Sequence, residues 1–226
     1  MRYGNIRKAE FVLRRNRFIC EIEIDGKKES CHVKNTGRLR ELFTEGATVY
    51  VEVSDKPERK TKYDLVAVEK DGRIVNVDSF APNLAVGEYL RKIYPDGKVT
   101  AEKTFGNSRF DFYVENGDEK GFIEVKGVTL FRDGKALFPD APTERGIKHL
   151  SELCECVRAG YFARVFFIIA ADFGGEITFS PNLAVGNDFS EALYRAAESG
   201  VEVCAFDCNV GADFMEIKES VNVKIK

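Results

Sequence analysis

The sequence predicts a small β-barrel over residues 1–79 followed, over residues 80–226, by an α/β domain with a mixed sheet flanked by helices. Three observations carry this reading. Residues 17–24 and 49–53 alternate apolar and polar side chains with the period of two that marks a half-buried strand. After Ser79 the apolar spacing lengthens to that of amphipathic helices. The run Val165-Phe166-Phe167-Ile168-Ile169-Ala170 is too short for a membrane span and reads as a buried central strand.

In the first region Phe18, Cys20, Ile22 and Ile24 share one strand face and Arg17, Glu21 and Glu23 the other. Asp25-Gly26 is a tight-turn signal leading into a strand over Lys27–Val33, and Val49, Val51 and Val53 repeat the alternation after Gly46. Asp71-Gly72 closes a further hairpin into Arg73–Val77. Asn35-Thr36-Gly37-Arg38-Leu39-Arg40-Glu41-Leu42-Phe43 reads as a cap followed by a short helix with Leu39, Leu42 and Phe43 on one side. About five strands with one helix in that slot make the plan of an OB-fold, a barrel that commonly binds oligonucleotides or oligosaccharides.

In the second region Pro82 opens a helix to about Tyr94, ended by Pro95-Asp96-Gly97. Strands over 98–104, 109–115 and 120–128 follow, then a loop with Pro139 and Pro142 and a helix from Thr143 to Ala159. Beyond the buried run come a helix from Asp188 to Ser199, ended by Gly200, and a strand from Val201 to Phe206. That order places helices on both faces of a mixed sheet. Pro-Asn-Leu-Ala-Val-Gly occurs at 82–87 and again at 181–186, too short an identity for a structural repeat.

With 44% hydrophobic and 31% charged residues the chain has a globular composition, which excludes disorder over most of its length. Arg2, Arg7, Lys8 and Glu10 interrupt the first thirteen residues, so no signal peptide is expected there, no segment suits a membrane span, and a cytoplasmic protein is expected. Cys20, Cys31, Cys154, Cys156, Cys204 and Cys208 lack the spacing of zinc knuckles and are expected to be reduced, buried thiols. Residues 1–79 hold 17 Lys+Arg against 14 Asp+Glu, and the remainder 17 against 23. A basic module beside an acidic one suits a phosphate-binding platform joined to a carboxylate-bearing site, although solvated surface charge gives the same asymmetry.

The strands 109–115 and 120–128 form a hairpin, and Asn116-Gly117 is a strong two-residue turn signal. Centring the turn there sets Arg109 opposite Glu124, Asp111 opposite Phe122 and Phe112 opposite Gly121, so Asp111, Arg109, Glu124 and Lys126 share a face. Asp111 and Glu124 become diagonal neighbours with Cα atoms about 7–8 Å apart. Two carboxylates so placed can converge on a hard cation such as Mg²⁺ or Mn²⁺, with Lys126 beside it, which points to phosphodiester hydrolysis. A bulge or an odd loop would throw Asp111 to the opposite face, and charged residues on the wet face of a hairpin give the same pattern.

The segments Gly106-Asn107-Ser108-Arg109-Phe110-Asp111-Phe112 and Ile123-Glu124-Val125-Lys126-Gly127-Val128-Thr129-Leu130 resemble the two halves of the PD-(D/E)xK nuclease signature, with Phe110 in place of its proline. The resemblance implies Asp111 and Glu124 as metal ligands and Lys126 as catalytic, with Glu88 or Glu102 as a further ligand. Over nearly the whole chain, His32-Val33-Lys34-Asn35-Thr36-Gly37-Arg38, Arg59-Lys60-Thr61-Lys62-Tyr63, Pro82-Asn83, Glu124–Leu130 and the run from Phe138 to Leu150 resemble the sugar fermentation stimulation protein A family. That resemblance implies an OB-like N-terminal domain, a nuclease-like C-terminal domain and DNA binding linked to sugar metabolism, with no settled enzymatic activity.

Arg145, Lys148 and His149 lie three or four apart on one side of the helix after the hairpin, where Arg145 and Lys148 could hold a phosphate and His149 packs or caps. In the barrel Arg38 and Arg40, and Arg59, Lys60 and Lys62, form two basic clusters, with Tyr50 and Tyr63 available for stacking on bases. The expectation is a DNA-binding, Mg²⁺-dependent nuclease or nuclease-like protein, possible as a homo-oligomer. The alternatives are a non-catalytic DNA-binding regulator on the same fold and, more weakly, a carbohydrate-binding protein.

Overall fold

The architecture comes from a computed structural model, which describes residues 1–226 except Pro57, Gly175 and Lys226. The chain begins with β1 (Ile6–Arg14), a strand the sequence reading did not mark, because Arg7, Lys8, Glu10 and Arg14 leave only Ala9 and Phe11 fully inward. β2 (Ile19–Ile24), β3 (Lys27–Val33), β4 (Thr48–Val53), β5 (Tyr63–Lys70) and β6 (Arg73–Asn76) follow. The sheet order is β3-β2-β1-β4-β5-β6, and parallel pairing of β3 with β5 closes it into a barrel. Ile22, Val49, Val51 and Leu65 are fully buried inside it.

The short helix expected after Asn35 does not form. Residues 38–43 make a single tight turn in which the Leu42 and Phe43 amides both donate to the Leu39 carbonyl, and Leu39 sits at φ +46°. That left-handed backbone stops helix propagation. Leu39 and Leu42 still plug the barrel, so their burial was read correctly and their conformation was not.

α1 (Ala81–Ile93) opens the second domain, with Pro82 in its first turn. β7 (Lys98–Phe105), β8 (Ser108–Asn116) and β9 (Glu119–Val128) form an antiparallel meander. β10 (Leu130–Arg132) and β11 (Lys135–Phe138) lead to α2 (Glu144–Arg158), whose N-cap Thr143 accepts from the Gly146 amide. β12 (Phe162–Ile169), β13 (Thr178–Pro181), α3 (Asp188–Glu198), β14 (Glu202–Val210), β15 (Met215–Ser220) and β16 (Asn222–Val223) complete the chain. The main sheet has the order β15-β14-β12-β9-β8-β7, with β12 parallel to both β9 and β14 and the remaining pairs antiparallel. The apolar run therefore lies at the sheet's centre, as expected. A smaller sheet, β10-β11-β13-β16, was not anticipated.

Helix α1 covers one face of the main sheet over Phe112, Val114, Ile123 and Phe166, while α2 and α3 cover the other over Phe110, Phe122, Val165 and Phe167. The two domains are stitched together where the Asn76 amide, at the end of the barrel, donates to Ala170 O at 2.8 Å. Tyr3 N donates to Asp213 O, so the residues before β1 dock on the α/β domain. All six cysteines are thiols, five of them buried. Among the described residues no helix is long and apolar enough to cross a membrane.

Candidate metal and nucleic-acid site

The β8–β9 hairpin has a different register from the one expected. Its turn is Gly117-Asp118, with Gly117 at φ +60°, so Asn116 pairs with Glu119, Tyr113 with Phe122 and Phe112 with Ile123. The pairs Asp111 with Phe122 and Arg109 with Glu124 are thus each wrong by two residues. A slip of two leaves side-chain parity intact, so it moves neighbours without turning the strand over.

Beyond the Phe112–Ile123 pair the two strands part. The Val125 amide, freed from the ladder, donates to Asp111 Oδ2 at 2.7 Å, and Asn83 Nδ2 from the first turn of α1 donates to Oδ1 at 2.7 Å. At the same point β8 changes face: Phe110 packs in the core beneath α2, whereas Phe112 packs in the core beneath α1. Residues two apart in a regular strand share a face, so a local irregularity lies between them. Across the ladder Glu102 of β7 stands at φ +56°, between the regular pairs Ala101–Phe112 and Lys103–Phe110. A non-glycine residue in that region marks stored strain, here beside Asp111.

Glu124 and Lys126 reach the same place from β9. Lys126 Nζ donates to Glu124 Oε1 at 2.5 Å, and His149 Nδ1 on α2 also bonds Oε1. Arg145 Nε donates to His149 Nε2 at 3.4 Å, which assigns the imidazole proton to Nδ1, facing Glu124. Glu124 is 3% exposed, and its other oxygen, Oε2, is buried with no hydrogen-bond partner. Burial pushes the Glu124 carboxyl up, but His149 and Lys126 outweigh it and hold it below its ordinary value. Burial, then the Glu124 charge, push Asp111 up, against the opposing bonds from Val125 and Asn83. Two neighbouring carboxylates are thereby driven apart in acidity, a pattern found at functional sites.

Asp111, Glu124 and Lys126 are therefore brought together, with Asn83 and His149 added. The sequence marked Asn83 only by its place after Pro82 and read His149 as a packing residue. The helical spacing from Arg145 to His149 placed them together, but on the polar side opposite Ile147, Leu150 and Leu153, whereas His149 is buried and faces Glu124 on the sheet. The two further carboxylates do not join the cluster. Glu88 Oε2 binds the N-terminal ammonium at 2.7 Å, and Glu102, 65% exposed, pairs with Arg109 at 3.4 Å. Among the described residues no three Asp, Glu, His or Cys side chains form a cage for a metal ion.

Of the expected nucleic-acid contacts, Arg38, Arg40, Lys60, Lys62 and Arg145 are exposed. Lys148 is exposed too and donates to the Asn107 carbonyl at 3.1 Å. Arg109 is solvent-facing beside Glu102. Arg59 is committed to Asp64, donating through both guanidinium nitrogens. Tyr63 is 4% exposed and forms part of the barrel core, so it offers no stacking face; Tyr50 donates to Glu69 at 2.5 Å. A cluster the sequence reading passed over lies on the β1–β2 turn: Arg17 beside the half-exposed Phe18 ring, next to Arg38 and Arg40.

Comparison with known proteins fits both halves. Residues 12–77 match the family of the SfsA N-terminal OB domain, and residues 81–214 that of the sugar fermentation stimulation protein RE domain. A sugar fermentation stimulation protein homolog of Desulfitobacterium hafniense (strain Y51) is 51% identical over 228 residues, covering 100% of this chain and 99% of that protein. One from Clostridium beijerinckii is 47% identical over 226 residues, with 99% of each chain covered. The structure of Pyrococcus furiosus SfsA in complex with Ca²⁺ superposes with a TM-score of 0.87 at 28% identity, covering 99% of this chain and 98% of that one. A barrel followed by a helix-flanked mixed sheet, matched end to end by these relatives, makes this chain a member of the sugar fermentation stimulation protein (SfsA) family.

Proposed function

We propose that this chain is a nucleic-acid-binding phosphodiesterase of the PD-(D/E)xK type, dependent on Mg²⁺ or Mn²⁺, with Asp111 and Glu124 as ligands and Lys126 at the reacting phosphate. One observation carries the reading. Glu124 Oε2 is buried without a partner beside the half-buried Asp111 carboxylate. A buried acceptor left unmade is costly, on the order of 1–3 kcal/mol, and a cation between the two carboxylates removes that cost. The donor set fits Mg²⁺, which is held by one or two carboxylates and completed by water and substrate phosphate rather than by a full protein cage. The Ca²⁺ complex of the Pyrococcus furiosus relative supports a hard-cation site in this fold.

Bound there, a divalent ion supplies Lewis-acid polarisation of a phosphoryl oxygen and acidifies coordinated water. The chain's own groups do the rest. Asn83 and the Val125 amide fix both oxygens of Asp111. His149 orients Glu124 through Oε1 and leaves Oε2 for the ion. Lys126, 14% exposed and tethered to Glu124, offers its ammonium to the phosphate or exchanges a proton with the attacking water. Arg38, Arg40, Lys60, Lys62, Arg145 and Lys148 hold the phosphate backbone.

The test is incubation with labelled single-stranded, duplex and branched DNA in EDTA, Mg²⁺ or Mn²⁺. Cleavage is expected only with metal, and it disappears in Asp111→Ala and Lys126→Ala while binding survives. Equal cutting by both variants overturns the site assignment. A second reading, a DNA-binding regulator without catalysis, draws on the fact that Lys126 already pairs with Glu124, and His149 already bonds it, without a metal. Binding without cleavage in either metal favours it.

A further inference from the structure

We propose that the cavity at the junction of the barrel and the α/β domain receives one unpaired nucleotide, so that the polynucleotide this protein takes is single-stranded. The inference rests on the nucleic-acid reading above and adds the strand state. The cavity has a volume of about 390 Å³ and belongs to both domains. Its barrel wall includes Thr36 and Gly37, and its other wall is the loop from Phe138 to Thr143 together with Gly127 and Thr129. The walls meet closely: a Cβ on Gly37 would lie 3.1 Å from Asp140 Oδ2 and 2.9 Å from Asn35 Oδ1.

Its position ties it to the candidate site. Pro82 and Gly127 line it, and their chain neighbours are Asn83 and Lys126. On the opposite side Thr36 and Gly37 also line the shallow depression that carries Arg17, Arg38 and Arg40. These three arginines are exposed, with no acidic partner among the described residues. A path thus runs from an arginine patch, across the cavity, to the carboxylate pair and to Arg145 and Lys148 at the start of α2.

Charge identifies which part of a nucleotide enters. The cavity lining holds one exposed carboxylate, Asp140, and a second, Asp78, that is buried and paired with Lys34, but itself no lysine or arginine, so it disfavours phosphate. Cations on both rims attract phosphate instead. The sugar–phosphate chain therefore follows the rims and a base turns inward. Thr36 and Thr129 supply hydroxyls that can donate or accept, Asp140 supplies an acceptor for a base N–H, and Leu137 and Phe138 supply apolar wall. The volume falls at the lower end of the range for small-molecule pockets, roughly 300–1,000 Å³, which suits one nucleotide. A paired base reaches such a pocket only by leaving its stack and its partner.

The experiment is fluorescence anisotropy in EDTA, with a labelled single-stranded oligonucleotide and a blunt hairpin duplex of the same length as probes. The single strand is expected to bind at least about tenfold tighter, a difference of about 1.4 kcal/mol. The substitution Ala141→Trp, which fills the cavity, should remove that preference, whereas Arg17, Arg38 and Arg40 changed together to Ala should lower the salt slope for single strands by about 2. A single 2-aminopurine in the strand gives a readout on the unaltered protein: the chain has no tryptophan, and insertion at one position should raise that base's emission. Equal affinity for duplex, or an Ala141→Trp protein that melts normally and keeps the single-strand preference, overturns the proposal. Binding in EDTA is independent of catalysis. Duplex cleavage without single-strand preference would sink this inference and spare the phosphodiesterase reading; single-strand preference without cleavage in metal would do the reverse.

Discussion

Changing Asp111 to Asn separates the metal-binding role proposed for this side chain from its role in the fold. Asp111 accepts from the Val125 amide and from Asn83, each at 2.7 Å. An asparagine carbonyl keeps the first bond, and Asn83 can turn its amide to accept from the new NH₂, so no buried donor is orphaned. What disappears is one of two neighbouring negative charges, the half-buried one beside the buried Glu124. Since the Asp111 carboxyl is held above its ordinary 3.8, its ionisation opposes folding at neutral pH, and each unit of that rise corresponds to about 1.4 kcal/mol. In EDTA Asp111→Asn should therefore melt at or above the wild-type temperature, by roughly 2–4 °C for each kcal/mol recovered. With Mg²⁺ at about 100 times its Kd the wild type gains about 2.7 kcal/mol, or roughly 5–11 °C, and the variant gains none. Differential scanning calorimetry with and without Mg²⁺ reads both quantities. A variant that melts well below wild type in EDTA, or that keeps the Mg²⁺ shift, refutes the reasoning. The pH dependence is a second arm. Glu124 is held below its ordinary 4.5, so its pairing stabilises the fold above that pH and is lost only as pH falls through the lower folded value. Asp111 takes up its proton first, so the Mg²⁺ shift should fade on mild acidification before that pairing is lost.

His149→Ala removes the buried partner of Glu124 and the ring that packs edge-on against Phe110; a loss of about 3 kcal/mol is expected in chemical denaturation, and a loss below about 1 kcal/mol would mean that Lys126 alone holds Glu124. Gly121→Ala would place a Cβ 2.2 Å from the Phe162 carbonyl and 2.3 Å from its ring, across the parallel β9–β12 ladder; roughly 3 kcal/mol or more of destabilisation should follow, and a wild-type melting curve would contradict this strand spacing. Arg59→Ala should weaken the barrel by about 1–3 kcal/mol through the loss of its Asp64 pair while changing the salt slope of DNA binding little. Arg38→Ala should do the opposite on both readouts, as measured by melting and by salt-dependent anisotropy.

Elements whose pattern is local were legible. The three helices lie within a residue of their expected bounds, because each has a 3.6-residue apolar stripe and its own stop or start signals, as with Thr143 before α2. Elements defined by distant partners were not. The strands β11 and β13 are four residues each and exist by pairing in parallel across some forty residues of chain, which leaves no local signature. The hexapeptide Pro-Asn-Leu-Ala-Val-Gly shows the limit most directly. At 82–87 it lies within α1 and its glycine packs under Phe112, whereas at 181–186 it ends a strand and makes one 3₁₀ turn, closed by Gly186 at φ +117°. The same six residues take the conformation that their neighbours' packing selects.

The candidate site was legible in residue type and only partly in geometry, and the reason is the irregularity that makes it a site. A perfectly alternating hairpin would pair every amide of β9 and set Asp111 among ordinary cross-strand neighbours. Here the strands part after Phe112, and the unpaired Val125 amide turns to the Asp111 carboxylate instead of a backbone carbonyl. The change of face between Phe110 and Phe112 lets Asp111 reach Asn83 on the α1 side, while Glu124 reaches His149 on the α2 side. The two carboxylates are thus braced from opposite faces of one sheet and meet at the point where the ladder opens. A carboxylate braced in this way cannot retreat to solvent, so the burial and then the repulsion that raise Asp111 are built in by the fold, and a cation bound there would relieve both.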